Sequence, residues 1–165
     1  MNTENKAIEP KKTRTSWHVV SPLIMWICVI VGVSAFLWLM PETLIFSAYW
    51  LSRIIFLAVF LIWLVFFRGA MKVHKQAALS VAGIDKLITE GIYRYLRHPL
   101  YTGDILLMWG IFFLMPEVRI LIGAIWVTGV LIGWMLLEEK FLLEKFGEEY
   151  EEYKKRTPMI VPKIV

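Results

Sequence analysis

The residues of this sequence best suited to chemistry are a histidine beside a proline and a pair of adjacent glutamates. His98 is followed by Pro99, which disfavours a helical backbone at His98 and is itself favoured in the first turn of a helix. We therefore expect His98 to lie in a bend that opens a helix, with Tyr101 in the first turn. The free N–H groups at a helix start attract carboxylate or hydroxyl oxygens, so a ligand can bind at this bend.

Glu138 and Glu139 directly follow the uncharged run Ile120–Leu137. This order places two carboxylates at the boundary of an apolar segment, level with the His98 bend. Carboxylates at that position can bind ribose hydroxyls or an amino group, act as a general base, or pair with a nearby arginine. The sequence leaves these roles open.

Asp104 lies one turn inside the apolar run Leu100–Pro116. An ionisable group within such a run is costly and is by default a functional hypothesis. The alternatives are that its carboxylate reaches water at the boundary or pairs with Arg97.

Composition excludes several classes of protein. Of the 165 residues, 58% are hydrophobic and 19% are charged, whereas a soluble domain has about 45–50% apolar and about 25% charged residues. A soluble enzyme and a disordered chain are therefore excluded. The single cysteine argues against a disulfide framework or a cysteine-based zinc site, and the three histidines are too far apart to predict a metal site.

Four apolar runs predict an all-α integral membrane protein with about four transmembrane helices in two hairpins and a cytoplasmic amphipathic C-terminal helix. A polar N-terminal tail, 1–17, precedes a single membrane domain, 18–165. The expected helices cover about 18–40, 44–67, 100–116 and 119–137, with a ligand-binding loop at 83–101 and a C-terminal helix at 138–156.

The positions of lysine and arginine predict the orientation. Sixteen of the 18 basic residues lie in the N-terminal tail, the central connection or the C-terminal segment. Basic residues favour the cytoplasmic side, so both termini are expected there. The net charge of +4 is then explained by topology and attraction to membrane lipid rather than by nucleic acid. The oligomeric state and the kind of membrane stay open.

Two segments resemble the signatures of the isoprenylcysteine carboxyl methyltransferase family. The first is Gly-Ile-Tyr-Arg-Tyr-Leu-Arg-His-Pro-Leu-Tyr-Thr-Gly at 91–103, and the second runs from the acidic pair through Phe-Gly-Glu-Glu-Tyr to Pro158. The phospholipid N-methyltransferases share this pattern more loosely. The resemblance implies a bound S-adenosylmethionine, methyl transfer, and a lipophilic or prenylated acceptor that enters from the bilayer.

The resemblance also implies site residues, transferred by position. Glu138 and Glu139, together with Arg97, are the expected catalytic residues. Trp134 stands where the carboxyl methyltransferases carry an arginine linked to the acceptor. Two alternatives follow: Arg94 or Arg97 binds the acceptor instead, or the acceptor is not a carboxylate. Asp85 stands where family members often have histidine. The expected cofactor-binding residues are Lys86, Leu87, Ile88, Tyr93, His98, Pro99, Leu100 and Tyr101.

The function that this resemblance implies is isoprenylcysteine-type carboxyl O-methylation at the cytoplasmic membrane face. A phospholipid or other small amphiphile N- or S-methyltransferase is the first alternative. An NADPH-dependent membrane sterol-type reductase is the second, because such reductases carry a stretch similar to Arg97–Asp104. A non-enzymatic membrane scaffold is the third.

Overall fold

Helices form most of the backbone that the computed structural model describes, which is residues 21–47, 49–73 and 86–161. Within these residues there is no β-strand, and one isolated bridge pairs Leu44 with Glu117. The expected all-helical architecture is confirmed. The helices are α1 (Pro22–Leu39), α2 (Trp50–Val73), a short 3₁₀ helix (Gly91–Arg94), α3 (Pro99–Leu114), α4 (Val118–Phe146) and α5 (Glu148–Arg156).

Three of these helices, α1, α2 and α4, are long and apolar enough to cross a membrane, with 18, 24 and 29 residues. The chain is therefore a membrane protein. The fourth expected span corresponds to α3, which has only 16 residues and is shorter than the roughly 20 that a bilayer requires. Pro116 follows closely after its end and explains why the helix stops there.

Helix α2 begins six residues later than the apolar pattern predicts. The predicted helix starts at residue 44, but Trp50 is the first helical residue. The backbone N–H of Ile45 donates to the carbonyl of Pro116 (2.8 Å), and that of Val118 donates to the carbonyl of Thr43 (2.9 Å). These long-range hydrogen bonds hold the segment in a non-helical conformation beside the turn between α3 and α4.

Helix α4 continues through the boundary at which the sequence predicts a separate C-terminal helix. Leucine, glutamate, lysine and phenylalanine follow residue 137 without a helix breaker, so the helix runs on to Phe146. Gly147 then adopts φ +54° and ψ −125°, a backbone conformation that favours glycine, and separates α4 from α5. The predicted helix 138–156 is thus two helices, of which the first is the end of α4.

The helices pack differently from two independent hairpins. Helix α2 packs on α3, α1 packs on α4, and α3 packs on α4. Small residues allow the close approach: a Cβ at Gly110 would lie 3.0 Å from Val59, and one at Gly32 would overlap Trp126. The apolar core of the α1–α4 contact, to which α3 adds Ile105, is formed by Met25, Val29, Val127, Leu131, Trp134 and Met135.

Some expectations fall outside the described residues. They are the polar tail at 1–17, Asp85, the first part of the loop at 83–101, and the last residues of the chain, 162–165.

Candidate active site

His98 lies in a bend immediately before α3, as the sequence predicts. Its backbone has φ −126° and ψ 62°, and Pro99 is the first residue of the helix. Its carbonyl accepts hydrogen bonds from the N–H (3.0 Å) and the hydroxyl (2.9 Å) of Thr102. These bonds fix the bend, and the side chain of His98 is only 5% exposed.

The connection before α3 is held against α5 and the segment that follows it. The hydroxyl of Tyr153 donates to the carbonyl of Tyr93 (2.5 Å), and the N–H of Arg97 donates to the carbonyl of Pro158 (3.0 Å). These contacts bring together two segments that are about 60 residues apart in the chain. The two sequence motifs therefore form one site.

Glu138 contributes a buried carboxylate to this site. Its Oε1 accepts a hydrogen bond from the hydroxyl of Tyr101 (2.5 Å), and its Oε2 lies 3.7 Å from His98 Nδ1. The ring of His98 stacks on that of Tyr101, with centroids 5.9 Å apart. Glu138 is consequently fixed in one position by two groups of the histidine bend.

Glu139 forms ion pairs instead. Its Oε1 lies 2.9 Å from Arg97 Nη2 and 3.5 Å from His98 Nε2, and its Oε2 lies 3.2 Å from Lys154 Nζ. The side chains of Arg97 and Glu139 are each 9% exposed. Glu139 thus ties the histidine bend and α5 to α4.

A cavity of about 400 Å³ lies between the histidine bend, α4 and α5, and extends to α1 and α2. It is lined by nine of the eleven residues that the sequence assigns to the site; Lys86, which is exposed, and Glu139 lie outside its lining. The full lining comprises Pro22, Trp26, Trp63, Phe67, Leu87, Ile88, Tyr93, Arg97, His98, Pro99, Leu100, Tyr101, Asp104, Glu138, Leu142, Tyr150 and Tyr153.

The sequence did not indicate the contribution of the first two helices. Trp26 of α1 and the pair Trp63 and Phe67 of α2 line the cavity. The indole N–H of Trp63 donates to Asp104 Oδ1 (2.8 Å), so Asp104 is neither paired with Arg97 nor free in water. An aspartate one turn inside an apolar helix was the available signal, because such a group needs a buried donor.

Two further lining residues, Tyr150 and Tyr153, come from α5. Their spacing from the apolar residues at the end of α4 indicated a shared helical face, although not a cavity. Burial raises the pKa of both phenols above the usual range. Burial, together with the nearby Glu138 carboxylate, raises the pKa of Tyr93 to about 12. All three phenols are therefore neutral near pH 7 and can donate hydrogen bonds.

Several buried polar atoms of the cavity lining have no hydrogen-bond partner among the described residues. They are His98 Nε2, Nε and Nη1 of Arg97, and the hydroxyl of Tyr150. Unsatisfied buried polar groups are costly and usually indicate a missing ligand, water or ion. These atoms are the features of the cavity that a polar ligand would satisfy.

The fold and the site together define an all-helical membrane protein with a cavity lined by aromatic residues and two carboxylates. The family model described as "Phospholipid methyltransferase" matches residues 43–149, and the chain belongs to this family. The match includes α2, the histidine bend, α3, α4 and the start of α5.

Curated relatives carry two kinds of name. The chain is 35% identical over 71 residues to Methanethiol S-methyltransferase 1 of Bradyrhizobium diazoefficiens. This matched region covers 43% of this chain and 24% of that protein. It is 34% identical over 79 residues to Protein-S-isoprenylcysteine O-methyltransferase of Schizosaccharomyces pombe, with coverage of 47% and 34%. The Homo sapiens protein of the same name is 36% identical over 84 residues, with coverage of 47% and 28%. The chain thus matches about a third or less of the length of each of these relatives.

Proposed function

We propose that this protein is an S-adenosylmethionine-dependent methyltransferase that acts on a lipophilic acceptor at the cytoplasmic membrane face. The observation that carries the proposal is the single cavity in which the histidine bend and Glu138 meet. This cavity also reaches the outward-facing aromatic residues of α1 and α2. Family membership and the names of the relatives support the same class of reaction.

The residues of the cavity fit this methyl donor chemically. The donor carries a sulfonium, an ammonium and a carboxylate group on one side and a ribose and an adenine ring on the other. The unpaired Nε and Nη1 of Arg97 suit its carboxylate or hydroxyl oxygens, and the imidazole of His98 lines the same cavity beside them. The proposed donor-binding residues are Leu87, Ile88, Tyr93, His98, Pro99, Leu100 and Tyr101, with Lys86 at the exposed rim.

The bound donor would supply an electrophilic methyl group. The protein's own contribution is to orient the reacting groups and to exclude water. Tyr101 fixes Glu138 by a hydrogen bond, so that Glu138 can accept a proton from an acceptor that must lose one. Arg97 is a positioning residue, because its pair with Glu139 holds the histidine bend against α4.

The acceptor would enter from the bilayer between α1 and α2. Trp26 and Phe67 line the cavity and are about 40% exposed on the apolar surface of these helices. They offer an apolar path from lipid to the reacting groups. Isoprenylcysteine-type carboxyl O-methylation is the first candidate, since two of the relatives above bear that name.

A thiol acceptor is the second candidate, and the charges of the cavity favour it. Among the described lining residues, Arg97 supplies the one guanidinium or ammonium group, and it is already paired with Glu139. Trp134, at the position of the expected arginine, packs in the α1–α4 core and does not line the cavity. A carboxylate acceptor would therefore lack a free cation, whereas a neutral thiol needs only the base that Glu138 provides.

Methyl transfer to matched acceptors tests both candidates. Proteoliposomes would be supplied with labelled S-adenosylmethionine and either N-acetyl-S-farnesylcysteine or farnesyl thiol, which share one tail and differ in the reacting group. Transfer to either one supports the proposal, and the more efficient acceptor selects the candidate. For the thiol, Glu138→Gln is expected to abolish turnover while donor binding persists. Absence of transfer to any lipophilic carboxylate, thiol or amine would contradict the proposal.

A further inference from the structure

A second cavity shares Tyr153 with the first and has no part in the proposed methyl transfer. Its volume is about 380 Å³. Two arginines and two threonines contribute to its lining, and among the residues that the structure describes no acidic residue does. The lining residues are Thr89, Arg94, Tyr153, Arg156 and Thr157.

The two arginines differ from others of the protein in being available to a ligand. Arg97 and Arg119 form ion pairs with glutamates, whereas within residues 21–47, 49–73 and 86–161 neither Arg94 nor Arg156 pairs with a carboxylate. Arg156 Nε donates to the carbonyl of Glu152 (3.3 Å), which fixes the guanidinium at the end of α5. Its two Nη groups are left without a partner in the described part of the chain.

The walls of this cavity are held in place by hydrogen bonds. The hydroxyl of Thr157 donates to the carbonyl of Arg94 (3.4 Å), and the N–H of Arg97 donates to the carbonyl of Pro158 (3.0 Å). Thr157 is only 4% exposed. The two arginine-bearing segments are thus fixed relative to one another, and a ligand that bridges them does not have to order them first.

We propose that this cavity is a binding site for a phosphate group. Paired guanidinium groups bind phosphate oxygens with two parallel hydrogen bonds, and hydroxyl groups add further donors. The site lies just before α3, on the side that the lysine and arginine positions predict to be cytoplasmic, and basic residues there attract the headgroups of anionic lipids. The phosphate belongs either to an anionic lipid headgroup or to a free phosphate.

Occupancy of this site would act on the first cavity through Tyr153. The ring of Tyr153 lines both cavities, and its hydroxyl holds the carbonyl of Tyr93. A phosphate that bridges Arg94 and Arg156 would keep α5 against the histidine bend. Binding of the phosphate ligand is therefore expected to hold Tyr93 and Tyr153 in the positions that they occupy in the first cavity.

Calorimetry on the full chain in a neutral detergent tests the site without a methyl donor, and so independently of the proposed function. The titrants are dihexanoylphosphatidylglycerol and inorganic phosphate. The double variant Arg94→Gln/Arg156→Gln is compared with Lys155→Gln, which removes a neighbouring charge on α5 outside the cavity. We expect the double variant to bind at least about tenfold more weakly than wild type, and Lys155→Gln to stay within about twofold.

The two titrants distinguish the sources of the phosphate. Tighter binding of the lipid identifies a headgroup site, and equal or tighter binding of inorganic phosphate identifies a free-phosphate site; both results support the proposal. Both mutated side chains are exposed, so the double variant should fold, and the two single variants give the same test if it does not. Absence of saturable binding of either titrant overturns the proposal. Equal weakening by Lys155→Gln also overturns it, because that result indicates nonspecific attraction to a basic surface.

Discussion

Replacement of Glu139 by glutamine is expected to destabilise the protein more than replacement of its partner Arg97. The two side chains form an ion pair of 2.9 Å and are each 9% exposed. Without Glu139, the guanidinium stays buried with no carboxylate, and its Nε and Nη1 already lack partners. Removal of one partner of a buried pair costs about 3–5 kcal/mol, because the other charge is left uncompensated.

The opposite variant, Arg97→Gln, leaves Glu139 with a second cation. Lys154 Nζ lies 3.2 Å from Glu139 Oε2, and its side chain is 37% exposed, so it can move toward the carboxylate. We expect a loss of about 1–3 kcal/mol, the range of a hydrogen bond to a charged group. The double variant removes both buried charges. Its loss of unfolding free energy should therefore be about 1–3 kcal/mol smaller than the sum of the losses in the two single variants.

Reversible unfolding of the four proteins in mixed micelles would measure these free energies. Glu42→Gln is the matched control: it removes the carboxylate of the 2.8 Å pair with Arg119, in which the Glu42 side chain is 72% exposed. Such exposed pairs contribute about 0–1 kcal/mol. A loss for Arg97→Gln as large as that for Glu139→Gln, or simple addition of the two losses in the double variant, would contradict this expectation.

Three further variants test other parts of the structure. The variant His98→Ala should lower the affinity for the methyl donor, measured by calorimetry, at least about tenfold. The control Tyr95→Phe lies outside the cavity and should leave this affinity unchanged. Equal donor affinities of the two variants would remove His98 from the donor site. The pKa of Tyr93 is about 12 in the folded protein, against 10.0 for a free phenol side chain. The contribution of its neutral form to the free energy of unfolding is therefore fully present below pH 10 and is lost as the pH rises through 12. The difference in unfolding free energy between wild type and Tyr93→Phe should therefore shift against wild type between pH 8 and pH 11.5, and a constant difference would contradict this. Gly147→Ala should lower the free energy of unfolding by about 1–3 kcal/mol, because Gly147 has a φ of +54° even though a Cβ there would meet open space. The control Gly129→Ala, in a helix and also in open space, should not cause this loss. Equal losses in the two variants would argue against backbone strain at Gly147.

Local rules explain why much of the site could be predicted. The effect of Pro99 on His98 depends only on neighbouring residues, and the structure shows the expected bend. The acidic pair follows an apolar run whose length fixes its depth. Residues from these two motifs line one cavity because a short turn joins α3 to α4, which places the start of α3 beside the last part of α4.

Tertiary contacts explain what the sequence did not show. Trp26 and Trp63 lie in helices whose neighbouring residues are nearly all apolar and suit a lipid-facing position, so no pattern distinguishes the cavity face from the lipid face. The late start of α2 depends on backbone hydrogen bonds between Ile45 and Pro116, which are about 70 residues apart. The different positions of Glu138 and Glu139 follow from which partners α3 and α5 bring to each carboxylate.

Binding of S-adenosylmethionine to the purified protein in detergent, measured by calorimetry with NADPH as the parallel ligand, distinguishes a methyltransferase from a reductase. We expect saturable binding of S-adenosylmethionine at one site per chain and no comparable binding of NADPH. Saturable binding of NADPH alone would contradict this expectation and indicate a reductase. Binding of neither ligand to a well-folded sample would contradict it as well and favour a membrane scaffold.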